Sequence, residues 1–160
     1  MTEALVLAIG QALRARGWAL ALGESCTGGM LGHCITNVPG SSEYFLGGIV
    51  AYAYQSKEQL LGVRHDTLYK HGAVSQETAL EMARGARHAF GADVGLSVTG
   101  IAGPGGGLPD KPVGLTWVAV STRGGEWGER HIWQGDRQAN KADAVNAALT
   151  LLLRILEQGT

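Results

Sequence analysis

The segment Gly23-Glu24-Ser25-Cys26-Thr27-Gly28-Gly29 constrains this chain most. It follows the apolar run Trp18-Ala19-Leu20-Ala21-Leu22 and precedes a stretch that reads as helix. A buried strand, a glycine-rich turn and a helix in succession form the opening unit of an α/β layer. The turn sets a small hydroxyl, Ser25, beside backbone N–H groups that a helix start leaves free. Two roles fit Ser25, a helix cap and a nucleophile. An isolated serine is a poor nucleophile, so the second role needs a base, and Lys57 is the residue to ask about.

The rest of the chain repeats the alternation of strand and helix. Leu5, Ile9 and Leu13 recur at one-turn spacing and predict a helix over residues 3–16, stopped by Gly17. A strand is predicted over 18–23 and a helix over 27–38, opened by the Ser25 and Thr27 hydroxyls and closed before Pro39. Residues 44–53 are rich in aromatic and β-branched side chains and read as a second strand, followed by short helices over 56–61 and 65–70. Ser75 is a good N-cap, with Val74 and Ala79 in the staple positions, and Ala79, Met82, Ala86 and Phe90 mark a buried helical stripe. Further strands are expected over 93–98, 113–121 and 126–133, with Thr122-Arg123-Gly124-Gly125 closing an antiparallel hairpin. Asp136 caps a final helix whose core face is Ala142, Val145, Leu149, Leu152 and Leu156. This order predicts a three-layer α/β/α sandwich, and the hairpin makes its sheet mixed. No repeat or interior linker divides the chain, so residues 1–160 read as one domain.

Composition narrows the function classes. The 160 residues suffice for one sizeable core, and 13 Lys+Arg nearly balance 14 Asp+Glu. No basic stripe supports nucleic-acid binding. No stretch reaches membrane-spanning length, and Met1-Thr2-Glu3 opens an amphipathic segment rather than an export signal, so a cytoplasmic soluble domain is expected. On a helix Cys26 and Cys34 need not converge and His33 does not share a face with its neighbour Cys34, which favours buried thiols and a solvated histidine over a metal site.

Several residues carry a chemical reading beside a structural one. Lys57 can be a partly buried neutral base or a solvated helix residue. Tyr52 can relay a proton or pack on a strand, and Glu24 can orient a substrate or serve the structure. The loop Thr99-Gly100-Ile101-Ala102-Gly103-Pro104 can hold a phosphate with its N–H groups, shape a pocket, or simply turn. It matches neither a Walker motif nor a dinucleotide fingerprint. Arg137 can contact phosphate, with Lys141 one turn along on the same face, or both can be solvated.

In order along the chain, these segments resemble the CinA carboxy-terminal domain family, which includes stand-alone nicotinamide-mononucleotide amidohydrolases. The shared motifs are Gly23–Gly29, Val38-Pro39-Gly40-Ser41-Ser42, Tyr52 with Lys57, Leu61-Gly62-Val63 and Gly72-Ala73-Val74-Ser75. They continue with Thr99–Pro104, Lys111-Pro112-Val113-Gly114 and Gly135-Asp136-Arg137. The resemblance implies hydrolysis of nicotinamide mononucleotide to nicotinate mononucleotide and ammonia. It makes Ser25 the nucleophile, Lys57 the general base and Tyr52 a hydroxyl that assists the pair. Substrate binding falls to Cys26, Thr27, Gly28 and Gly29, to Thr99, Gly100, Ile101, Ala102 and Gly103, and to Arg137 as phosphate contact. No metal or other cofactor is called for, the partner is a small-molecule nucleotide, and a homo-oligomer stays open. Members commonly carry Tyr-Ser-Asn before the lysine, where this chain has Tyr52-Ala53-Tyr54, and often arginine where it has Lys141. The rival reading is a nonenzymatic nucleotide-binding or interaction domain. A phosphatase is a weaker alternative, because no metal-binding carboxylate set is evident.

Overall fold

A strand covered on both faces is buried along its length, as β1 (Leu20–Glu24) and, later in the chain, Val94–Gly100 are. The structure, a computed structural model describing residues 1–159, sets these two side by side at the centre of a five-stranded sheet. With β2 at Phe45–Val50, β3 at Val94–Gly100, β4 at Leu115–Ser121 and β5 at Glu126–Ile132, the order is β2-β1-β3-β4-β5. Strand β1 runs parallel to both neighbours, pairing Glu24 with Val50 on one side and Val98 on the other. The β3–β4 and β4–β5 pairs are antiparallel, and Thr122 N donates to Gly125 O at 2.9 Å to close the last hairpin. The sheet is mixed, as the hairpin implied.

Helices cover both faces. On one side lie α1 (Thr2–Arg16), α2 (Met30–Thr36) and the last helix, Arg137–Glu157; on the other lie α3 (Tyr54–Leu61), α4 (His65–His71) and α5 (Gln76–Phe90). The final helix is α6. Leu20 and Leu22 point into the first layer, among Ile9, Leu13, Leu31, Val145 and Leu149. Ala21, one residue out of phase, points into the second, among Leu61, Met82 and Ala86. Among the described residues no helix is long and apolar enough to cross a membrane.

The ends of elements differ from the sequence expectation for local reasons. Strand β1 starts at Leu20 rather than Trp18, because Gly17 turns left-handed (φ 63°) and Trp18 N closes α1 by donating to Leu13 O at 3.0 Å. Ser75 and Asp136 do cap α5 and α6, accepting from Thr78 N and Ala139 N. On α6 the buried face includes Asn140, Ala144, Ala148, Leu151 and Ile155 besides the expected Val145, Leu149, Leu152 and Leu156, and Ala142 is exposed. The face is broad because α6 packs on α1 as well as on the sheet.

Helix α2 starts at Met30, not Thr27, and the Ser25 and Thr27 hydroxyls do not cap it. The cap is Glu24, a carboxylate at the end of β1 and only 2% exposed. Its Oε2 accepts from Gly29 N (3.1 Å), Leu31 N (3.1 Å) and Thr27 Oγ1 (2.6 Å), and its Oε1 accepts from Gly32 N (2.9 Å). Three free amides of the helix start and its positive dipole end thus meet one buried negative charge.

On the opposite face the layers approach so closely that side chains are excluded. A Cβ on Gly95 of β3 would lie 1.9 Å from Ala83 O, and one on Gly85 of α5 would lie 1.7 Å from Leu61 O at the end of α3. Gly85→Ala is expected to push α3 off α5 and to cost about 1–3 kcal/mol, read as a lowered urea midpoint. Glu24→Gln keeps the shape but sets an amide against amide donors. It is expected to cost about 2 kcal/mol in the same measurement, and an unchanged midpoint would remove Glu24 from the capping role.

Candidate active site

The parallel strands β1, β2 and β3 all end at the same edge, and the loops that leave them bring the chemistry together. Ser25 is the first residue beyond β1; its N donates to Val98 O at 3.0 Å, which ties it to β3. Lys57 comes from the first turn of α3, reached through the loop that leaves β2. Its side chain is 1% exposed, and Nζ donates to Ser25 Oγ at 2.9 Å, Ala51 O at 2.9 Å and Tyr52 O at 3.2 Å. Burial lowers the Lys57 pKa from 10.5 to about 8, partly opposed by the Cys26 thiol. Of the two readings of Lys57, the structure selects the buried one: a polar amine with a serine hydroxyl in hand.

The turn after Ser25 divides its amides between two tasks. Gly28 N donates to Ser25 O at 3.1 Å, and Gly29 N is taken by Glu24. Gly28 and Gly29 both adopt left-handed φ, 59° and 101°, which lets the chain bend back over Ser25 before α2 begins. Among the described residues, the amides of Cys26 and Thr27, next along from Ser25, carry no such structural bond to another residue. The Cys26 thiol is buried, with its pKa pushed up to about 11 chiefly by burial. A Cβ on Gly100 would lie 3.1 Å from Cys26 Sγ, so the glycine loop lies directly against this turn. Cys34 is half-buried and His33 exposed; among the described residues no three His, Cys, Asp or Glu side chains gather to hold a metal ion.

The Thr99–Gly103 loop uses most of its polar atoms to fix its own position. Thr99 Oγ1 donates to Ala73 O at 2.7 Å. Ile101 N donates to Leu115 O at 2.8 Å, and Ile101 O accepts from Gly114 N at 2.7 Å. Ala102 O accepts from Asn140 Nδ2 at 3.0 Å, and Gly103 O accepts from Arg137 Nη1 at 2.7 Å. The Ala102 and Gly103 carbonyls thus pin the loop to α6. Asn140, buried four residues into α6, also accepts from Gly135 N at 2.9 Å. Sequence reasoning passed over Asn140, and no motif signals it: an asparagine inside a helix reads as ordinary surface.

Tyr52 and Arg137 meet each other. Arg137 Nη2 donates to the Tyr52 hydroxyl at 3.1 Å, so the contact Tyr52 makes with Lys57 is through its carbonyl, not its ring. Beside this pair a cavity of about 650 Å³ opens, lined in part by Ala102, Pro104, Val113, Gly135 and Arg137. Lys141 is half-buried one turn further along α6, and a Cβ on Gly28 would come 3.9 Å from its Nζ. Two cations from the start of α6 thus face the mouth of the site, and the helix dipole reinforces their field.

Residues 2–156 match the family described as the CinA C-terminal domain. A nicotinamide-nucleotide amidohydrolase, PncC, of Escherichia coli strain K12 is 46% identical over 153 residues, covering 95% of this chain and 93% of that protein. A putative competence-damage inducible protein of Moorella thermoacetica is 50% identical over 147 residues, but this chain spans only 36% of its length. Among solved structures, the competence damage-inducible protein A of Klebsiella pneumoniae superposes with a TM-score of 0.95 at 36% identity, covering 99% of each chain. The sequence motifs, the mixed sheet and these relatives agree: the chain belongs to the CinA C-terminal domain family.

Proposed function

We infer that this protein is an amidohydrolase that converts nicotinamide mononucleotide and water to nicotinate mononucleotide and ammonia through an acyl-enzyme on Ser25. The observation that carries the reading is the 2.9 Å contact between Lys57 Nζ and Ser25 Oγ, made by a buried amine whose pKa falls to about 8. Similarity to proteins named nicotinamide-nucleotide amidohydrolase supports the substrate.

Neutral Lys57 takes the Ser25 proton as Oγ attacks the carboxamide carbon, which the pyridinium ring makes more electrophilic. The amides of Cys26 and Thr27 stabilise the oxyanion of the tetrahedral intermediate. Lys57, now an ammonium, passes its proton to the amide nitrogen, and ammonia leaves. Water attacks the ester, gives its proton to Lys57, and the product departs as Ser25 recovers that proton. The carbonyls of Ala51 and Tyr52 hold Nζ on the serine through the cycle. Arg137 and Lys141 bind the substrate phosphate at the mouth, where Arg137 can exchange the neutral Tyr52 hydroxyl for a charged oxygen. No step draws on a metal or redox cofactor.

The purified protein is expected to release ammonia from nicotinamide mononucleotide before and after treatment with a chelator. A folded protein that binds the nucleotide without releasing ammonia is instead a binding domain. Ser25→Ala is expected to abolish turnover and the mass shift of the acyl-enzyme while leaving melting nearly unchanged, because Ser25 caps no helix. Lys57→Arg is expected to lose nearly all turnover at saturating substrate, since arginine stays protonated. Substantial activity in Lys57→Arg would assign the proton to another group.

The pH profile follows from the direction of the Lys57 shift. A base acts only when neutral, so kcat is expected to rise with pH up to about 8 and level off above it. At pH 7 roughly a tenth of the maximal rate remains. A profile flat between pH 6 and 9 would contradict a titrating Lys57.

A further inference from the structure

Lys57 holds Ser25 only if the first turn of α3 stays in place, yet that helix is eight residues long and its N-cap, Ala53, supplies no side-chain hydrogen bond. Helices this short are not stable alone. At the first position of α3 stands Tyr54. Its side chain reaches away from the helix, and its hydroxyl accepts from Ala73 N at 3.2 Å in the loop between α4 and α5. The same Ala73 accepts through its carbonyl from Thr99 Oγ1 at 2.7 Å. Thr99 and Val98 adjoin on β3, and Val98 O accepts from Ser25 N at 3.0 Å.

These contacts close a ring. It runs from Ser25 through Lys57 and one turn of α3 to Tyr54, across to Ala73, on to Thr99, and back along β3 to Ser25. The far side of the ring is itself held. Gly72 O accepts from Ser75 Oγ at 2.9 Å and from Thr78 Oγ1 at 2.7 Å, and Lys111 Nζ donates to His71 O. The Tyr54 ring also stands edge-on to Tyr69 of α4, with centroids 5.5 Å apart. The phenol reaches from the start of α3 to the Ala73 amide.

We propose that Tyr54 is a positioning residue, whose hydroxyl closes the ring and fixes the first turn of α3 so that Lys57 Nζ stays on Ser25 Oγ. Tyr54 touches none of the reacting atoms and acts through the helix it anchors. With the ring open, Lys57 drifts from the serine and water reaches its amine; beside burial, the Cys26 thiol also acts on its charge.

The test is Tyr54→Phe, which keeps the ring beside Tyr69 and removes the acceptor. Two readouts apply: steady-state kinetics on nicotinamide mononucleotide, and titration of the Lys57 amine followed by NMR of labelled lysine. The kinetic arm rests on the amidase reading above, and the titration does not. The expected result is a loss of about tenfold in kcat with KM changed much less, because a small displacement of a catalytic group is costly. The Lys57 midpoint is expected to move up from about 8 toward the ordinary lysine value of 10.5. Thr99→Val opens the ring at its next joint, so its effect on the midpoint should overlap with that of Tyr54→Phe rather than add to it. A merely structural tyrosine would lower the melting temperature and leave the midpoint in place, and that result overturns the proposal. Additive effects of the two substitutions overturn it as well. If the wild-type protein releases no ammonia, the amidase reading falls, and the titration alone decides the role of Tyr54.

Discussion

A carboxylate buried at the end of the central strand organises everything around it. Glu24 accepts three backbone amides and one hydroxyl, so the chain leaving β1 must bend tightly before α2 can begin. That bend carries Ser25 and uses up Gly28 and Gly29. Directly across Ser25 lies another buried ionisable group, the Lys57 amine. A negative group holds the turn and a basic group holds the serine. Both are withdrawn from water, where their hydrogen bonds are stronger and their geometry better defined than at a surface.

Lys57 can reach Ser25 because the layer beneath it is thin. Gly85 lets α5 touch the backbone of α3, and Gly95 lets β3 touch α5. With alanines at 79, 83 and 86 lining the same contact, α5 draws close to the sheet. The tight packing is not simply a source of stability, since it also sets how far α3 stands from β1. The small residues of α5 are thereby part of the design of a site that none of them lines.

Much of this was legible in the sequence, and the reasons differ from element to element. Periodicity found the helices because their apolar faces repeat at one-turn spacing, and Ser75 and Asp136 marked two starts by their capping chemistry. The mixed sheet followed from the four-residue turn after Ser121. Ser25 and Lys57 were visible as a pair only as a question, since 32 residues separate them and only the pairing of β1 with β2 makes them neighbours. What stayed hidden were contacts that depend on direction rather than residue type. Glu24 turns inward to cap a helix that its neighbours Ser25 and Thr27 seemed better suited to cap. Asn140 locks a loop 38 residues away, and Tyr52 offers Lys57 its carbonyl while its hydroxyl meets Arg137. No pattern along the chain encodes which way such side chains point.

The buried lysine also explains why such a site calls for a firm scaffold. Its pKa is about 8 in the folded protein against 10.5 when exposed, so between these values the unfolded chain binds more protons than the folded one. Stability therefore rises with pH across that window, and the contribution of Lys57 is lost as pH falls through about 8. At neutral pH the shift corresponds to a destabilisation of roughly 3 kcal/mol, a sizeable share of what a domain of this size holds in reserve. The same shift makes a neutral amine available to Ser25, so the function and the cost have one origin. The apolar layers on both faces of the sheet and the Glu24 cap are what let the fold carry a charged group where water would otherwise be.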